Sequence, residues 1–417
     1  MQLAIHGGTP VTTARLGHPW PIWGDEERQL LSEVLESGRW SRTNYREGGP
    51  ARVGQFEAAF AQFQDAKYGL AVTNGTTALE CAYRCVGVEA GDEVIVPALT
   101  FVATATAVLQ LGAVPVFVDV DPNTYTINPG AVEAAITPRT RAIACVDYGG
   151  MPCDYDALIA LRRRTGIPVV ADCAHAHGSR WRGTGVGALT EVGTFSFQIA
   201  KPLTCGEGGM VLTNDRELWE RAYAYHHIGR RWGQSDDDHA VRSSNLRMTE
   251  WQAAVGLAQL SRLDAQVATR EANARLLMAG LQQLQAADVG VAPLECDVRV
   301  TRWGIYIWNF RFLPAFWDGV SRDRFVAALQ AEGIRCGAGA RKPLYRHSLF
   351  QQSELTFGSR AGATTADYSH AFCPEVERIC ATESVALRHV LFLGPPSDMQ
   401  VILTAIEKLW THRHTLA

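Results

Sequence analysis

Ile167-Pro168-Val169-Val170-Ala171-Asp172-Cys173-Ala174-His175-Ala176-His177-Gly178 is the stretch whose reading sets the fold class. It opens on a short apolar run with no polar alternation and ends in an aspartate, two histidines and a glycine. Such a run reads as a strand buried on both faces. Runs of the same kind occur upstream at Leu70-Ala71-Val72, Val94-Ile95-Val96, Val114-Pro115-Val116-Phe117-Val118 and Ala142-Ile143-Ala144-Cys145-Val146. Helical segments separate them. Two-face apolar strands alternating with helices signal a mostly parallel sheet covered on both sides. Further strands are expected at 193–197 and 209–213. The fold class is α/β, with a doubly wound large domain.

Outside this core the pattern changes. Residues 1–24 are dense in Pro and Gly and read as an irregular arm. A helix is expected from Asp25 to near Gly38, then a polar loop over 39–53, then a helix over about 54–64. A long helix is expected from Thr249 to about Gln283, with Leu260, Leu263 and Val267 at helical spacing. Beyond it the sequence suggests a strand at 304–313, a helix at 321–332, a strand near 334–336, an apolar strand at 389–393 and a last helix at 396–411. That mixture reads as a smaller α+β domain. The division is set at 1–260, arm included, and 261–417.

Composition narrows the function classes. A net charge of −4 on 417 residues gives no reason to expect nucleic acid or a membrane surface. Ten cysteines form no CxxC pair, which points to reduced thiols in the cytoplasm and to no metal. The start of the chain lacks a signal-peptide pattern, and no apolar run is long enough to span a bilayer.

In open α/β sheets, ligands bind beyond the carboxyl ends of the strands. After the strand at 70–72 stands Thr73-Asn74-Gly75-Thr76-Thr77, a helix start that serves either as a plain cap or as a phosphate cradle. It is neither GxGxxG nor a Walker loop. After 94–96 stands Phe101, either core packing or a stacking face for a flat ring. After 167–171 stands Asp172, a cap or a site carboxylate, since an acid behind an apolar strand needs a partner. His175 and His177 follow it, each either structural or placed to orient the aspartate or contact a ligand. Phe195-Ser196-Phe197-Gln198-Ile199-Ala200-Lys201-Pro202-Leu203-Thr204-Cys205-Gly206-Glu207-Gly208-Gly209 places one lysine in a glycine-bordered bend. Alone, Lys201 reads as a solvated loop charge or a nucleophile. Together, Lys201, Asp172, Phe101 and Gly75-Thr76 supply an amine, a carboxylate, a ring face and an anion cradle. Pyridoxal 5′-phosphate needs these four functions.

These motifs, with Ser244-Asn245-Leu246-Arg247-Met248 and the opening Gly7-Gly8-Thr9-Pro10, resemble the DegT/DnrJ/EryC1/StrS aminotransferases over nearly the whole length. Within that family the chain looks most like two branches. These are the glutamine-dependent scyllo-inosose aminotransferases and the 3-amino-5-hydroxybenzoate synthases. The resemblance implies a fold type I enzyme, with residues 1–260 as the cofactor-binding domain and a mostly parallel sheet of the seven-stranded type. It implies that Lys201 is the Schiff-base lysine and proton carrier, that Asp172 pairs with the pyridine nitrogen and that His175 lies near the cofactor. It further implies that Phe101 stacks on the ring, that Gly75, Thr76 and Ser196 hold the phosphate with Gln198 beside them, and that Asn245 reaches the phosphate from a second subunit. A homodimer with shared sites follows, and residues 226–231 would face the partner's pocket. Lys201 also argues against the 3-dehydratase relatives, which replace it by histidine. Asp147-Tyr148-Gly149-Gly150 departs from the family, which often carries a histidine there. The implied activity is transamination of a keto-cyclitol or ketosugar with glutamine or glutamate as donor, in aminocyclitol-type secondary metabolism. The alternative is a 3-amino-5-hydroxybenzoate synthase-like aminotransferase and aromatase. A non-catalytic homologue has no need of Lys201 and Asp172 together.

Overall fold

The computed structural model describes residues 2–42, 51–234, 238–351 and 366–416. In chain order the first strands are β1 (Tyr68–Val72), β2 (Glu93–Pro97), β3 (Val114–Val118), β4 (Thr140–Val146), β5 (Val169–Asp172), β6 (Arg180–Trp181), β7 (Thr184–Gly185), β8 (Val192–Ser196) and β9 (Gly209–Thr213). They are followed by β10 (Val291–Pro293), β11 (Val300–Arg302), β12 (Ile307–Phe312), β13 (Cys336–Gly337) and β14 (Ser384–Arg388). The main sheet has seven strands in the order β1-β9-β8-β5-β4-β2-β3. Only β9 runs against its neighbours; the pairs from β8 to β3 are parallel. The expected α/β class and mostly parallel sheet are therefore present.

Alternation along each strand sends side chains to two separate cores. Leu70, Val72, Val94, Val96, Val146 and Val170 pack on one face. Ala71, Ile95, Ile143, Ala171, Phe195 and Met210 pack on the other. With both faces covered, no position on β2, β5, β8 or β9 is left for a solvated side chain, and all are buried. Beneath the end of β8, Phe56, Phe60, Phe195 and Phe197 meet with ring centroids 4.9 to 5.1 Å apart along Phe60–Phe195, Phe56–Phe197 and Phe60–Phe197. All four are fully buried, worth roughly 1.5–3 kcal/mol each against exposure.

The second sheet is antiparallel, in the order β10-β12-β14-β13. A helix over Glu250–Ala286 connects the two regions, and the proposed division after residue 260 falls inside it. Thr249 caps it through a reciprocal pair with Gln252. It packs on helices Asp25–Ser37, Arg52–Phe63 and Ser397–Thr411. The N-terminal arm lies along the C-terminal region. The amides of Ala4 and Val11 donate to the Glu332 carboxylate, and the Gly17 amide donates to Asp398.

One expected element is wrong. The apolar run at 389–393 is a 3-10 helix, His389–Leu393, and the strand lies just before it as β14. The run is apolar because it is buried under the long helix, not because it joins a sheet. Its carbonyls go elsewhere: Val390 O accepts from the His18 amide, and Phe392 O from Asn273 Nδ2. Hydrophobicity alone cannot separate these cases. Most of the expected 39–53 loop, residues 43–50, lies outside the described residues. Among the described residues no helix is long and apolar enough to cross a membrane.

Candidate active site

The carboxyl ends of β1, β2, β4, β5 and β8 converge on one cavity of about 850 Å³. β5 ends in Asp172, which is buried. Its Oδ2 accepts from Thr104 Oγ1 at 2.8 Å and its Oδ1 from the Ala174 amide at 3.1 Å. Burial pushes the Asp172 pKa up; the Thr104 hydroxyl, the Ala174 amide and the Lys201 charge pull it down.

After Ser196, the last residue of β8, the chain turns through a tight bend. Within it the Lys201 amide donates to Gln198 O (2.9 Å), and Gln198 Oε1 accepts from the Ala200 amide (2.8 Å). The bend's outward carbonyls are taken up from behind. Ser196 O pairs with His177 Nε2 at 2.9 Å, Ile199 O with Trp20 Nε1 at 2.8 Å and Ala200 O with His389 Nε2 at 3.0 Å. The Lys201 side chain is therefore held in the cavity rather than in solvent, 9% exposed, with Nζ 4.3 Å from the Tyr306 ring centroid. Burial pulls its pKa down to about 8, against the opposing charge of Asp172.

After β1, Asn74 caps the helix Gly75–Cys85, accepting from the Thr77 amide at 2.9 Å. Gly75 is needed there: a Cβ on it would stand 2.6 Å from Ser196 Cβ. The helix start and the end of β8 are thus in direct contact, with helix amides at the cavity wall. His175 Nδ1 accepts from the Gly149 amide at 3.2 Å, so its proton sits on Nε2 when the ring is neutral. Burial, reinforced by Lys201, holds its pKa well below the usual range and keeps it neutral.

The cavity brings together Gly75, Thr76, Phe101, Asp172, His175, Ser196, Gln198 and Lys201. Phe101 is 65% exposed there, which removes core packing as its role. Asn245 is not among the lining residues; it is exposed, and its backbone pairs with that of His227. His177 also stays outside, fully buried among Phe60, Phe195 and Phe197. The 226–231 segment does not line this cavity: His226 is buried on Tyr223 O, and His227 Nδ1 lies 3.5 Å from Arg247 Nη1. Residues 235–237 of the same loop lie outside the described residues.

Sequence reasoning misses Thr104, Tyr306, Glu80 and Glu207. Thr104 carried a usable signal, since it follows Thr100 by four residues at a helix start. Glu80 lies one helical turn beyond Thr76. Nothing local marks Tyr306, which reaches the cavity from just before β12 of the second sheet.

Residues 21–387 match the model of the DegT/DnrJ/EryC1/StrS aminotransferase family. The chain belongs to this family. It is an aminotransferase, as the sequence motifs implied. It is 41% identical to the 3-amino-5-hydroxybenzoate synthase of Amycolatopsis mediterranei, over 93% of this chain and 97% of that one. It is 37% identical to the L-glutamine:2-deoxy-scyllo-inosose aminotransferase of Micromonospora echinospora, over 99% of each. Among solved structures it superposes on 3-amino-5-hydroxybenzoic acid synthase with a TM-score of 0.84. That match has 37% identity and covers 97% of this chain and 100% of the other. Family and fold, a type I aminotransferase architecture, stand together.

Proposed function

We propose that this aminotransferase moves an amino group from glutamine or glutamate to a keto-cyclitol or ketosugar, using pyridoxal 5′-phosphate, in the cytoplasm. The observation that carries the reading is one cavity holding a buried lysine amine, a buried carboxylate and a helix start pressed against a strand end. The residues fit the cofactor. Lys201 offers an amine, Asp172 a carboxylate for a protonated ring nitrogen, and Gly75, Thr76 and Ser196 a cradle with no room for another side chain. Phe101 offers an exposed ring face, and Gln198 stands beside the cradle.

When bound, the cofactor supplies an aldehyde that takes the amino group and a ring that withdraws electrons from the neighbouring carbon. The chain supplies the rest. Lys201, with its pKa brought down to about 8, takes a proton at Nζ and gives it back near neutral pH. Asp172, kept from water, favours positive charge on whatever ring nitrogen faces it. His175, neutral and donating from Nε2, orients an oxygen without adding charge. Asn245, exposed and outside its own cavity, suits a homodimer in which it reaches the site of the partner, and the 226–231 segment belongs to the same face.

The test is the visible spectrum of the purified protein before and after glutamine, then after candidate ketones. Loss of colour with glutamine and its return with one ketone is the expected result. Lys201→Arg should lose the visible band and about 10³-fold or more of turnover; a variant that keeps both ends this reading. The 41% identity to a 3-amino-5-hydroxybenzoate synthase supports a second reading, amination followed by aromatisation. An aromatic product in the ultraviolet spectrum of the turnover mixture separates the two.

A further inference from the structure

Both oxygens of the Asp172 carboxylate accept from protein donors, and one of the donors comes from far away. Thr104, 68 residues distant in sequence, sets its hydroxyl 2.8 Å from Oδ2 and is fully buried. A hydroxyl has one proton to donate, and an ionised carboxylate only accepts. The Thr104 proton is therefore committed to Asp172. Thr104 Oγ1 also lies 2.9 Å from Thr100 Oγ1. In that contact Thr100 must be the donor. The two hydroxyls point the same way, from Thr100 at the cavity wall, through Thr104 behind it, to Asp172.

The plain alternative is a buried threonine that needed some acceptor. A helical threonine usually finds one in the carbonyl a turn earlier. Thr104 stands at the start of helix Ala103–Gln110 and instead donates across to β5. Its backbone is pinned for this: the Tyr83 hydroxyl donates to Thr104 O at 3.0 Å, and the Thr104 amide donates to Phe101 O at 3.3 Å. Aligned hydroxyls strengthen each other, and bonds to an ionised acceptor are the strong kind.

We propose that Thr104, with Thr100 behind it, is a positioning residue that keeps Asp172 ionised and aimed into the cavity, and so sets how tightly a protonated ring nitrogen is held there. This rests on the cofactor reading above. The other groups acting near Asp172 are Lys201 from the bend, His175 and Cys173 on its own loop, Tyr83 from the helix after β1, and Asp147 after β4. All are common to wild type and variants, so a difference between them isolates the hydroxyls.

The experiment compares wild type, Thr104→Val, Thr104→Ser and Thr100→Val by two readouts. Titration of the cofactor-free proteins with pyridoxal 5′-phosphate gives the first. Thr104→Val should weaken binding roughly tenfold, Thr100→Val less, and Thr104→Ser should stay within about twofold of wild type. Stability of the cofactor-free proteins against pH gives the second. Burial already raises the Asp172 pKa, and removing the hydroxyl raises it further. The folded variant then holds its proton to higher pH, so its deficit against wild type should grow as pH rises through the titration of Asp172 and shrink in acid. A deficit equal at every pH, unchanged cofactor affinity in Thr104→Val, or a Thr104→Ser as weak as the valine overturns the proposal. A wild type that takes up no cofactor ends the cofactor reading instead, and the pH arm still decides whether the hydroxyls hold the carboxylate.

Discussion

On the cavity side of the Lys201 bend, Asp172 accepts from Thr104 and Ala174, and the lysine amine faces open volume. Behind the same bend, His177 and His389 each give one ring nitrogen to a bend carbonyl, and their other nitrogens have no partner among the described residues. Arg270 packs there too, fully buried, its guanidinium 5.5 Å from the Trp20 ring centroid; Nη2 donates to Gln266 Oε1 at 3.3 Å, while Nε and Nη1 have no partner among the described residues. Burial pulls Arg270 down to about 9 and His177 to about 3. The front holds opposite charges that a ligand can complete. The rear holds polar groups whose work is to fix three carbonyls, and it tolerates unmatched atoms because nothing there must react. Perturbed pKa values on both sides show that perturbation alone does not mark the chemistry.

The largest expected effect comes from the front. Asp172→Asn should lower turnover by roughly 10²–10³-fold while the protein stays folded, measured by kcat and thermal unfolding. A drop below tenfold would erase the contrast. Gly75→Ala forces apart the helix start and Ser196, since the new Cβ falls 2.6 Å from Ser196 Cβ. It should cost about 1–3 kcal/mol of stability and weaken cofactor binding, read by denaturant unfolding and titration.

The rear should show itself through pH. His177 in the folded state titrates at about 3 against an ordinary 6.5, so between these values the unfolded chain binds the extra proton and stability falls as pH drops. His177→Phe should remove that acid loss, a slope of up to about 1.4 kcal/mol per pH unit, at a cost of about 1 kcal/mol near neutrality for the lost Ser196 bond. An unchanged acid limb would mean that the imidazole is not buried as described. The smallest effect is expected from Arg270→Met, within about 1 kcal/mol of wild type or above it, because a buried charge held by a neutral side-chain acceptor, Gln266, is replaced by apolar volume. A loss of about 3 kcal/mol or more would show that the bond to Gln266 holds the guanidinium as firmly as the front holds Asp172.

Much of the front was legible because strand-end chemistry is local. An apolar run that ends in Asp172, a glycine-bordered bend around Lys201 and a capped helix at Gly75 each show within a dozen residues, and each has a plain structural reading alone; together, with the family resemblance, they pointed to a site. The rear was not legible. In the sequence His177 reads as either a structural histidine or a partner for Asp172 or a ligand, His389 as the start of an apolar strand, and nothing marks Arg270. The same short range misplaced 389–393, where burial under the long helix produced a strand-like composition in a 3-10 turn.

By itself, then, the sequence determined a mostly parallel sheet, the succession of most strands and helices along the chain, and the residues delivered to the sheet's carboxyl edge, because backbone propensity and two-face burial act between near neighbours. Tertiary structure alone decided which distant groups serve them: Thr104 on Asp172, Tyr306 against Lys201, His389 and Trp20 on the bend, the N-terminal arm on Glu332. Those contacts join segments tens to hundreds of residues apart. Many side chains could make such bonds equally well, and only the packing of the whole chain selects the ones that do.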